Sequence, residues 1–286
     1  MLLNRKGQGN LWFGADYTIN LYRGCHFGCI YCDSRSECYR IEAFDTVRLK
    51  ETVFTELEQE MRIKRRKGVI SIGAMSDSYN RMESSQGATR HLLELADRYG
   101  FGIQITTKSA SILDDLEILK RIAVHSPVCI AVTITTFDEA DRQWIEPYSS
   151  STQERFRALE ALKKAGIYAG ITMMPLIACL NDSQANLTAI ARQGISTGID
   201  FIYPYPGVTM RDRQRDYFMS KIQVHRPDLI KVYRQYGDRY EWLIREPKRR
   251  MQELKALLDP QGITMSMPVI IARYKTSRSN RQESLF

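Results

Sequence analysis

The sequence predicts an α/β fold built on a parallel sheet. Short β-branched runs alternate with amphipathic stretches of helical length, which is the pattern of strands joined by crossover helices. One run, Val128-Cys129-Ile130-Ala131-Val132-Thr133-Ile134, is almost continuously apolar, as a strand covered on both faces is. Glycines at 100, 166 and 194 each stand where a helical pattern ends. A chain of 286 residues suffices for one large core, alone or with a small cap.

In chain order, residues 16–22 read as a strand running straight into a cysteine-rich loop. Residues 47–67 form a long amphipathic helix and 69–72 a short buried strand. A helix over 84–99 stops at Gly100, and 102–106 is the next strand. Residues 111–124 form a helix with Ser111, three residues before Asp114, as its cap-like start. After the strand at 128–134, a helix over 151–165 stops at Gly166. Residues 168–174 are a strand, 182–193 a helix stopped by Gly194, and 199–203 the last clear strand. Six strands with crossover helices give a parallel sheet with helices outside it; an open doubly wound sheet and a partial barrel both satisfy this pattern. From Pro204 the alternation stops. Residues 217–240 are rich in Tyr, Arg and Lys, 245–258 form an amphipathic helix, and 263–271 a further strand. The expected division is a main domain over 1–205 and a C-terminal cap over 206–286.

Hydrophobic content of 43% and charged content of 26% are those of an ordinary soluble protein. No apolar stretch approaches the roughly 20 residues of a membrane helix, and the first residues lack an apolar signal core. Six cysteines are too few for a disulfide scaffold of this size, and unpaired thiols suit a reducing compartment, so the expected location is the cytoplasm. The net charge of +8 permits contact with nucleic acid without requiring it. The run Arg62-Ile63-Lys64-Arg65-Arg66-Lys67 reads as a solvated helix end whose cations complement the helix dipole. Lys248-Arg249-Arg250 lies in another helix, and the basic tail over 273–281 is expected to fray.

The most specific signal is Gly24-Cys25-His26-Phe27-Gly28-Cys29-Ile30-Tyr31-Cys32. Six cysteines placed at random would give this triplet about 0.003 times per chain. Three thiolates on one short loop can bind three irons of a [4Fe–4S] cube and leave the fourth open to a small molecule. Structural zinc normally takes four ligands in a closed site. Cys38, or less readily His26, is the candidate fourth ligand for that reading, and four-cysteine ferredoxin spacing is different.

Cys25-x-x-x-Cys29-x-Tyr31-Cys32 resembles the cluster loop of the radical S-adenosylmethionine (SAM) superfamily. Ser76-Asp77-Ser78-Tyr79, Thr107-Lys108-Ser109, Glu146-Pro147, and Pro175 followed by Asn181-Asp182 occur in the order found in its spore photoproduct lyase-like branch. The resemblance spans about residues 16–205. It implies a partial (β/α)6 TIM-type barrel with a C-terminal cap, and a site at the carboxyl ends of the strands. It also implies a [4Fe–4S] cluster on Cys25, Cys29 and Cys32, with SAM bound beside it. Reductive cleavage of SAM would yield a 5′-deoxyadenosyl radical that takes hydrogen from a substrate, with an external electron donor of flavodoxin or ferredoxin type.

The pattern offers a partner for each part of SAM. Ser76 and Asp77 follow the second strand, where their oxygens can accept from an ammonium group, and the branch uses its matching pair in this way. Lys108 follows the third strand and can neutralise a carboxylate as a point charge. Thr133 matches a serine of the branch that reaches the same carboxylate. By resemblance, Tyr31 and Met174 lie near the adenine. Tyr79 and Glu83 are close by without an assigned role. Two departures matter. Ala74 stands where spore photoproduct lyase has its hydrogen-donating cysteine, and Asp33 stands where it has a tyrosine. These count against thymine-dimer repair, and Cys38 becomes the candidate substitute donor. Two alternatives stay open beside a radical SAM enzyme of unknown substrate: a DNA photoproduct lyase-type repair enzyme, and a non-catalytic zinc-stabilised nucleic-acid-binding protein.

Overall fold

The computed structural model describes residues 2–5 and 12–276. Its main sheet begins with an edge strand, β1 (Asn4–Arg5), antiparallel to β2 (Tyr17–Thr18). The sheet then continues in parallel through β3 (Val69–Ile72), β4 (Gly102–Thr107), β5 (Val128–Thr133), β6 (Tyr168–Met173) and β7 (Ile202–Pro204). Strands β2 to β7 lie in chain order. A doubly wound sheet would reverse direction from an interior strand; unbroken order is that of a barrel wall. The fold is therefore α/β, a partial TIM-type barrel of six parallel strands. Crossovers are carried by α1 (Val53–Ile63), α2 (Ala88–Tyr99), α3 (Leu116–His125), α4 (Thr152–Lys164) and α5 (Gln184–Thr197).

Alternation along each strand sorts side chains to two faces. Ile70, Ile103, Ile105, Ile130, Val132 and Ile171 face outward into the main core, where Leu57, Leu92, Leu119, Leu159 and Ile190 of the crossover helices meet them. The inner face is layered. At its floor Val69, Cys129, Ala131 and Phe201 pack against Phe13, Ile270 and Tyr274. Above them is a polar belt: Ser71 and Gln104 are 2.5 Å apart, Gln104 donates to Thr106 at 3.0 Å, and the Thr133 and Thr172 hydroxyls lie 2.9 Å apart. The cysteine loop closes the upper end.

Residues 206–276 do not gather over one face. The hairpin Gly207–Thr209 with Glu241–Leu243, helix α6 (Asp212–His225) and the short helix Ile230–Arg234 bring Phe218, Ile222, Tyr233 and Trp242 against Cys25, Phe27, Ile30 and Tyr31. Helix α7 (Pro247–Leu258) instead packs on α5, adding Leu254 and Leu258 to the main core. Helix α8 (Met267–Thr276) forms the floor, where Met267 Sδ accepts from the Phe13 amide and the Tyr274 hydroxyl donates to the Phe13 carbonyl.

Several expected elements differ. The strand over 16–22 is only Tyr17–Thr18, and Tyr22–Arg23 pairs separately with Arg48–Leu49. That pairing uses the start of the expected 47–67 helix, so α1 covers only Val53–Ile63, burying Val53, Leu57 and Met61 every fourth residue. The 84–99 helix breaks at Gly87. Ser109, rather than Ser111, caps the next helical stretch by accepting from the Ser111 amide. Gly194 is not a stop: it lies inside α5, where an added Cβ would come 2.6 Å from Ile199, and Gly198 at φ +73° ends the helix. The expected 263–271 strand is mostly helix α8, because Met267, Ile270 and Tyr274 recur at helical spacing. Helices Glu139–Ile145, α6 and Ile230–Arg234, and the Gly207–Leu243 hairpin pairing, are further elements outside the expected pattern.

In the basic run, Lys64 sits 5.0 Å over the Tyr17 ring and 3.3 Å from Glu60, and Lys67 donates to the Met61 carbonyl. These are local helix-end contacts, as expected. Residues 273–276 of the basic tail belong to α8, and 277–281 lie outside the described residues. No described helix is long and apolar enough to cross a membrane.

Candidate functional site

The site assembles where β3, β4 and β5 end beneath the cysteine loop. Cys25, Cys29 and Cys32 line one small cavity together with Tyr31, Ala74, Asp77, Thr107, Lys108 and Thr133. The loop is pinned on both sides: the Cys25 amide donates to the Phe44 carbonyl at 2.8 Å and the Ile30 amide to Ile145 at 3.0 Å. From the C-terminal side, Gln214 donates to the Tyr31 carbonyl at 3.0 Å and Arg213 to the Arg35 carbonyl at 2.7 Å. Arg211 grips Asp33 at 2.9 Å, and the Thr209 hydroxyl joins it at 3.1 Å. Asp33, the residue after the last cysteine of the triplet, is therefore a structural clamp here.

Asp77 is held by three donors. The Thr107 hydroxyl and the Tyr79 amide reach Oδ1 at 2.7 and 3.0 Å, and the Lys108 amide reaches Oδ2 at 2.7 Å. Burial still pushes its carboxyl above the ordinary range, against these bonds. The Ser76 hydroxyl donates to the Gly24 carbonyl and lies behind the loop rather than among the cavity-lining residues. Between β3 and Ser76, Gly73 adopts φ +91°, and a Cβ there would fall 2.0 Å from the Thr106 carbonyl oxygen. Only glycine allows the chain to turn there so close to β4.

The Lys108 ammonium has no hydrogen-bond or ion-pair partner among the described residues. It stands 5.7 Å from the centre of the Tyr31 ring. Burial lowers its pKa, but the acidic side chains around it, Cys29, Glu146, Asp77 and Cys32, outweigh this and raise it above the ordinary lysine value. Thr133 lines the cavity at the end of β5 and shares its hydroxyl with Thr172. Met174 is half-buried at the end of β6 and is not among the lining residues. Cys38 is exposed and lies away from the cavity, with its sulfur 3.2 Å from the Ser36 hydroxyl and 3.4 Å from Arg211. His26 faces the opposite side of the loop, where the Arg81 amide approaches its Nδ1 at 3.4 Å.

Sequence reasoning gave no role to Glu146, although Glu146-Pro147 was part of the resemblance. Its carboxylate is fully buried, accepts from the Tyr31 hydroxyl and from Thr135 at 3.2 Å, and pairs with Arg155 at 2.6 Å. Arg155, equally buried, also donates to the carbonyls of Ser150 and Thr133, each at 2.8 Å. Burial opposes the charge on Glu146, yet Arg155, Lys108 and Tyr31 together hold its pKa below the carboxylate range. Arg155 had no signal at all: an arginine within an amphipathic helix reads as surface.

The donor set fits an iron–sulfur cluster. Burial pushes the Cys25 thiol up to about 12 and raises Cys29 and Cys32 as well. Thiolates in such surroundings form when a metal takes the place of the proton. The three thiols share one wall rather than one point, and no group of three metal-binding side chains among the described residues is placed to grip a single ion. The enclosed volume is about 70 Å3, so a nucleoside-sized ligand must widen it or extend from its mouth.

The radical SAM superfamily model matches residues 19–185, more than half of the chain. The chain belongs to the radical SAM superfamily. It is accordingly an enzyme whose cofactors are a [4Fe–4S] cluster and SAM, with reductive cleavage of SAM as its core reaction. An uncharacterized protein of Mycobacterium tuberculosis is 26% identical over 272 residues, covering 93% of this chain and 76% of the relative. One from Methanocaldococcus jannaschii is 33% identical over 172 residues, covering 59% and 63%. Among solved structures, spore photoproduct lyase complexed with dinucleoside spore photoproduct shares the fold at TM-score 0.66 and 16% identity, covering 91% of this chain and 78% of its own. The radical SAM methyltransferase TsrM from Kitasatospora setae, with tryptophan and a SAM analogue bound, gives 0.57 at 11%, covering 85% and 51%.

Proposed function

We propose that Cys25, Cys29 and Cys32 hold the cluster of this radical SAM enzyme, and that Asp77, Lys108, Thr133 and Tyr31 bind SAM beside it. The observation that carries this reading is the placement of two buried thiols and a third half-buried one, one ammonium unpaired among the described residues and one buried carboxylate around a single cavity. When bound, the cluster supplies the electron that splits SAM into methionine and a 5′-deoxyadenosyl radical. The chain's own residues orient and shield. Lys108, half-buried, offers a cation to the SAM carboxylate, an attraction stronger there than in open water. Asp77 offers acceptor capacity to the amino group, and its Thr107 and backbone bonds fix its direction. Thr133 places a hydroxyl on the same wall. Tyr31, tied through Glu146 to Arg155, keeps its ring across from Lys108. Ser76 acts at one remove, by holding the Gly24 carbonyl and so the start of the loop.

Ala74 lines the cavity and carries no transferable hydrogen on sulfur. Thymine-dimer repair with a thiol donor at that position is thus not the reading supported here; the radical takes hydrogen from a different substrate or returns it by a different route. Cys38 can serve as donor only to a substrate that reaches the surface near Arg211. The test is anaerobic reconstitution followed by dithionite and SAM. The wild-type chain should release 5′-deoxyadenosine, Cys29→Ala should release none, and Lys108→Met should raise the KM for SAM about tenfold with iron content unchanged. Full activity in Cys29→Ala, or an unchanged KM in Lys108→Met, would overturn the assignment.

A further inference from the structure

Residues of the cysteine loop alternate between two sides. Cys25, Phe27, Cys29 and Tyr31 line the small cavity, whereas His26, Gly28 and Ile30 line a groove of about 640 Å3 on the outer surface. At Cys29 the wall between the two is a single residue thick. Arg81, on the rim of this groove, is exposed and has no ion pair among the described residues. Lys221, on the opposite rim, lies 5.2 Å over the Tyr217 ring and likewise has no carboxylate partner among them. The lining includes one carboxylate, Asp45, and Arg35 engages it. Tyr148, 69% exposed, and Trp144, stacked on His225, complete a surface of aromatic rings between unpaired cations. An adjoining groove past Arg81 carries Glu83, Asp114 and Asp115 beside Arg90, a lining richer in carboxylates than this one.

We propose that this groove is the docking site of an acidic redox protein that delivers the electron for SAM cleavage. The inference rests on the placement of the cluster on Cys25, Cys29 and Cys32. SAM and substrate must use the cavity side of the loop, which leaves the outer side for the donor. Electron tunnelling falls steeply with distance, and this groove sets the unpaired Arg81 and Lys221 beside His26, Gly28 and Ile30, the neighbours of Cys25 and Cys29 in the loop. One electron leaves the donor's flavin or iron–sulfur centre, which is oxidised by one; the enzyme's cluster is reduced by one, and no atom or proton crosses the interface. Arg81 and Lys221 steer acidic side chains, while Trp144 and Tyr148 supply contact area at little entropic cost. A nucleic-acid strand would also suit cations beside aromatic rings, but a nucleic-acid substrate must reach the cavity on the far side of the loop.

The test compares reconstituted full-length wild type with the double variant Arg81→Glu/Lys221→Glu. An acidic flavodoxin is the probe, and its affinity is measured directly by surface plasmon resonance. We expect the Kd to weaken roughly tenfold at low salt and the difference to shrink as salt is raised. The rate of 5′-deoxyadenosine release driven by limiting flavodoxin should fall by a similar factor. The dithionite-driven rate and the iron content should not change, because a small reductant needs no docking face. Unchanged flavodoxin affinity would overturn the proposal. So would lost binding of a fluorescent single-stranded oligonucleotide with flavodoxin affinity intact. Should dithionite release no 5′-deoxyadenosine from wild type, the cluster placement fails, and the affinity measurement still decides the docking face by itself.

Discussion

Replacing Glu146 by glutamine tests whether the buried pair with Arg155 holds the cysteine loop in shape. Both side chains are about 1% exposed, so loss of the carboxylate leaves a guanidinium charge in the interior. Breaking one side of such a pair costs about 3–5 kcal/mol. Glutamine keeps an oxygen for the Tyr31 and Thr135 hydroxyls, and Arg155 keeps its two backbone carbonyls, so the lower end, about 3 kcal/mol, is expected. In a chain of this size each kcal/mol moves Tm by roughly 2–4 °C, giving a fall of about 6–12 °C. Removing the stranded charge as well, in Glu146→Gln/Arg155→Met, should recover part of the loss, with a coupling of about 2 kcal/mol. Differential scanning calorimetry of the unreconstituted chain reads the stability, and iron per chain after reconstitution reads the loop. Because Tyr31 sits between Cys29 and Cys32, the single variant should also take up less iron than wild type. A Tm within 2 °C of wild type, or single-variant losses that simply add in the double variant, would refute the reasoning.

Gly73→Ala should lose SAM binding and much of its soluble yield, since the new Cβ would sit 2.0 Å from backbone at φ +91°; near-normal Tm and KM would show that the turn has room. Thr107→Val removes the 2.7 Å bond that orients Asp77 and the hydroxyl that accepts from the Ser109 amide, and should raise the KM for SAM several-fold and lower Tm by a few degrees, read by 5′-deoxyadenosine release over a range of SAM concentrations and by calorimetry. Asp97 supplies a pH test. Burial raises its carboxyl, but bonds from Arg121 at 2.7 Å and His125 at 3.1 Å prevail and hold it below its ordinary 3.8. A depressed carboxyl stabilises above its unfolded value and loses that contribution as pH falls through the folded one. Arg121→Gln should therefore cost at most about 1 kcal/mol at neutral pH, the pair being partly exposed. The gap from wild type should close below about pH 4 in urea titrations, and a gap that widens there would contradict the sign.

Much of this molecule is written in short-range pattern. The continuous apolar run at 128–134 reads as an interior strand, and β5 is buried at every position. The alternation of strands and helices fixed the class, while the choice of barrel over doubly wound sheet needed the resemblance, because strand order is a long-range property. Misreadings arose where tertiary contacts override a local cue. Gly194 carries the composition of a helix stop but is a site of close packing against Ile199, and the Met-Pro-Val-Ile-Ile run reads as strand until its 3- and 4-residue spacing meets the Phe13 floor. In the site, the three thiols announce themselves by their spacing, whereas Lys108 and Asp77 needed the resemblance, because a lysine before a helix and an aspartate in a turn are ordinary by themselves. Glu146 and Arg155 do not announce themselves, since their function is to face each other across 9 residues of chain and to support Tyr31 through a hydroxyl. The Ser76-Asp77 pair shows both outcomes at adjacent positions. Asp77 lines the cavity, whereas Ser76 points behind the loop to Gly24.

The central claim is that three loop thiolates hold a cube whose fourth iron the polypeptide leaves for SAM. Electron paramagnetic resonance of the dithionite-reduced, reconstituted protein, recorded with and without SAM, tests it most directly. We expect a single reduced-cluster signal, about four irons per chain, and a clear change of that signal when SAM is added. A signal indifferent to saturating SAM, or a colourless protein with one tightly held zinc, would contradict it.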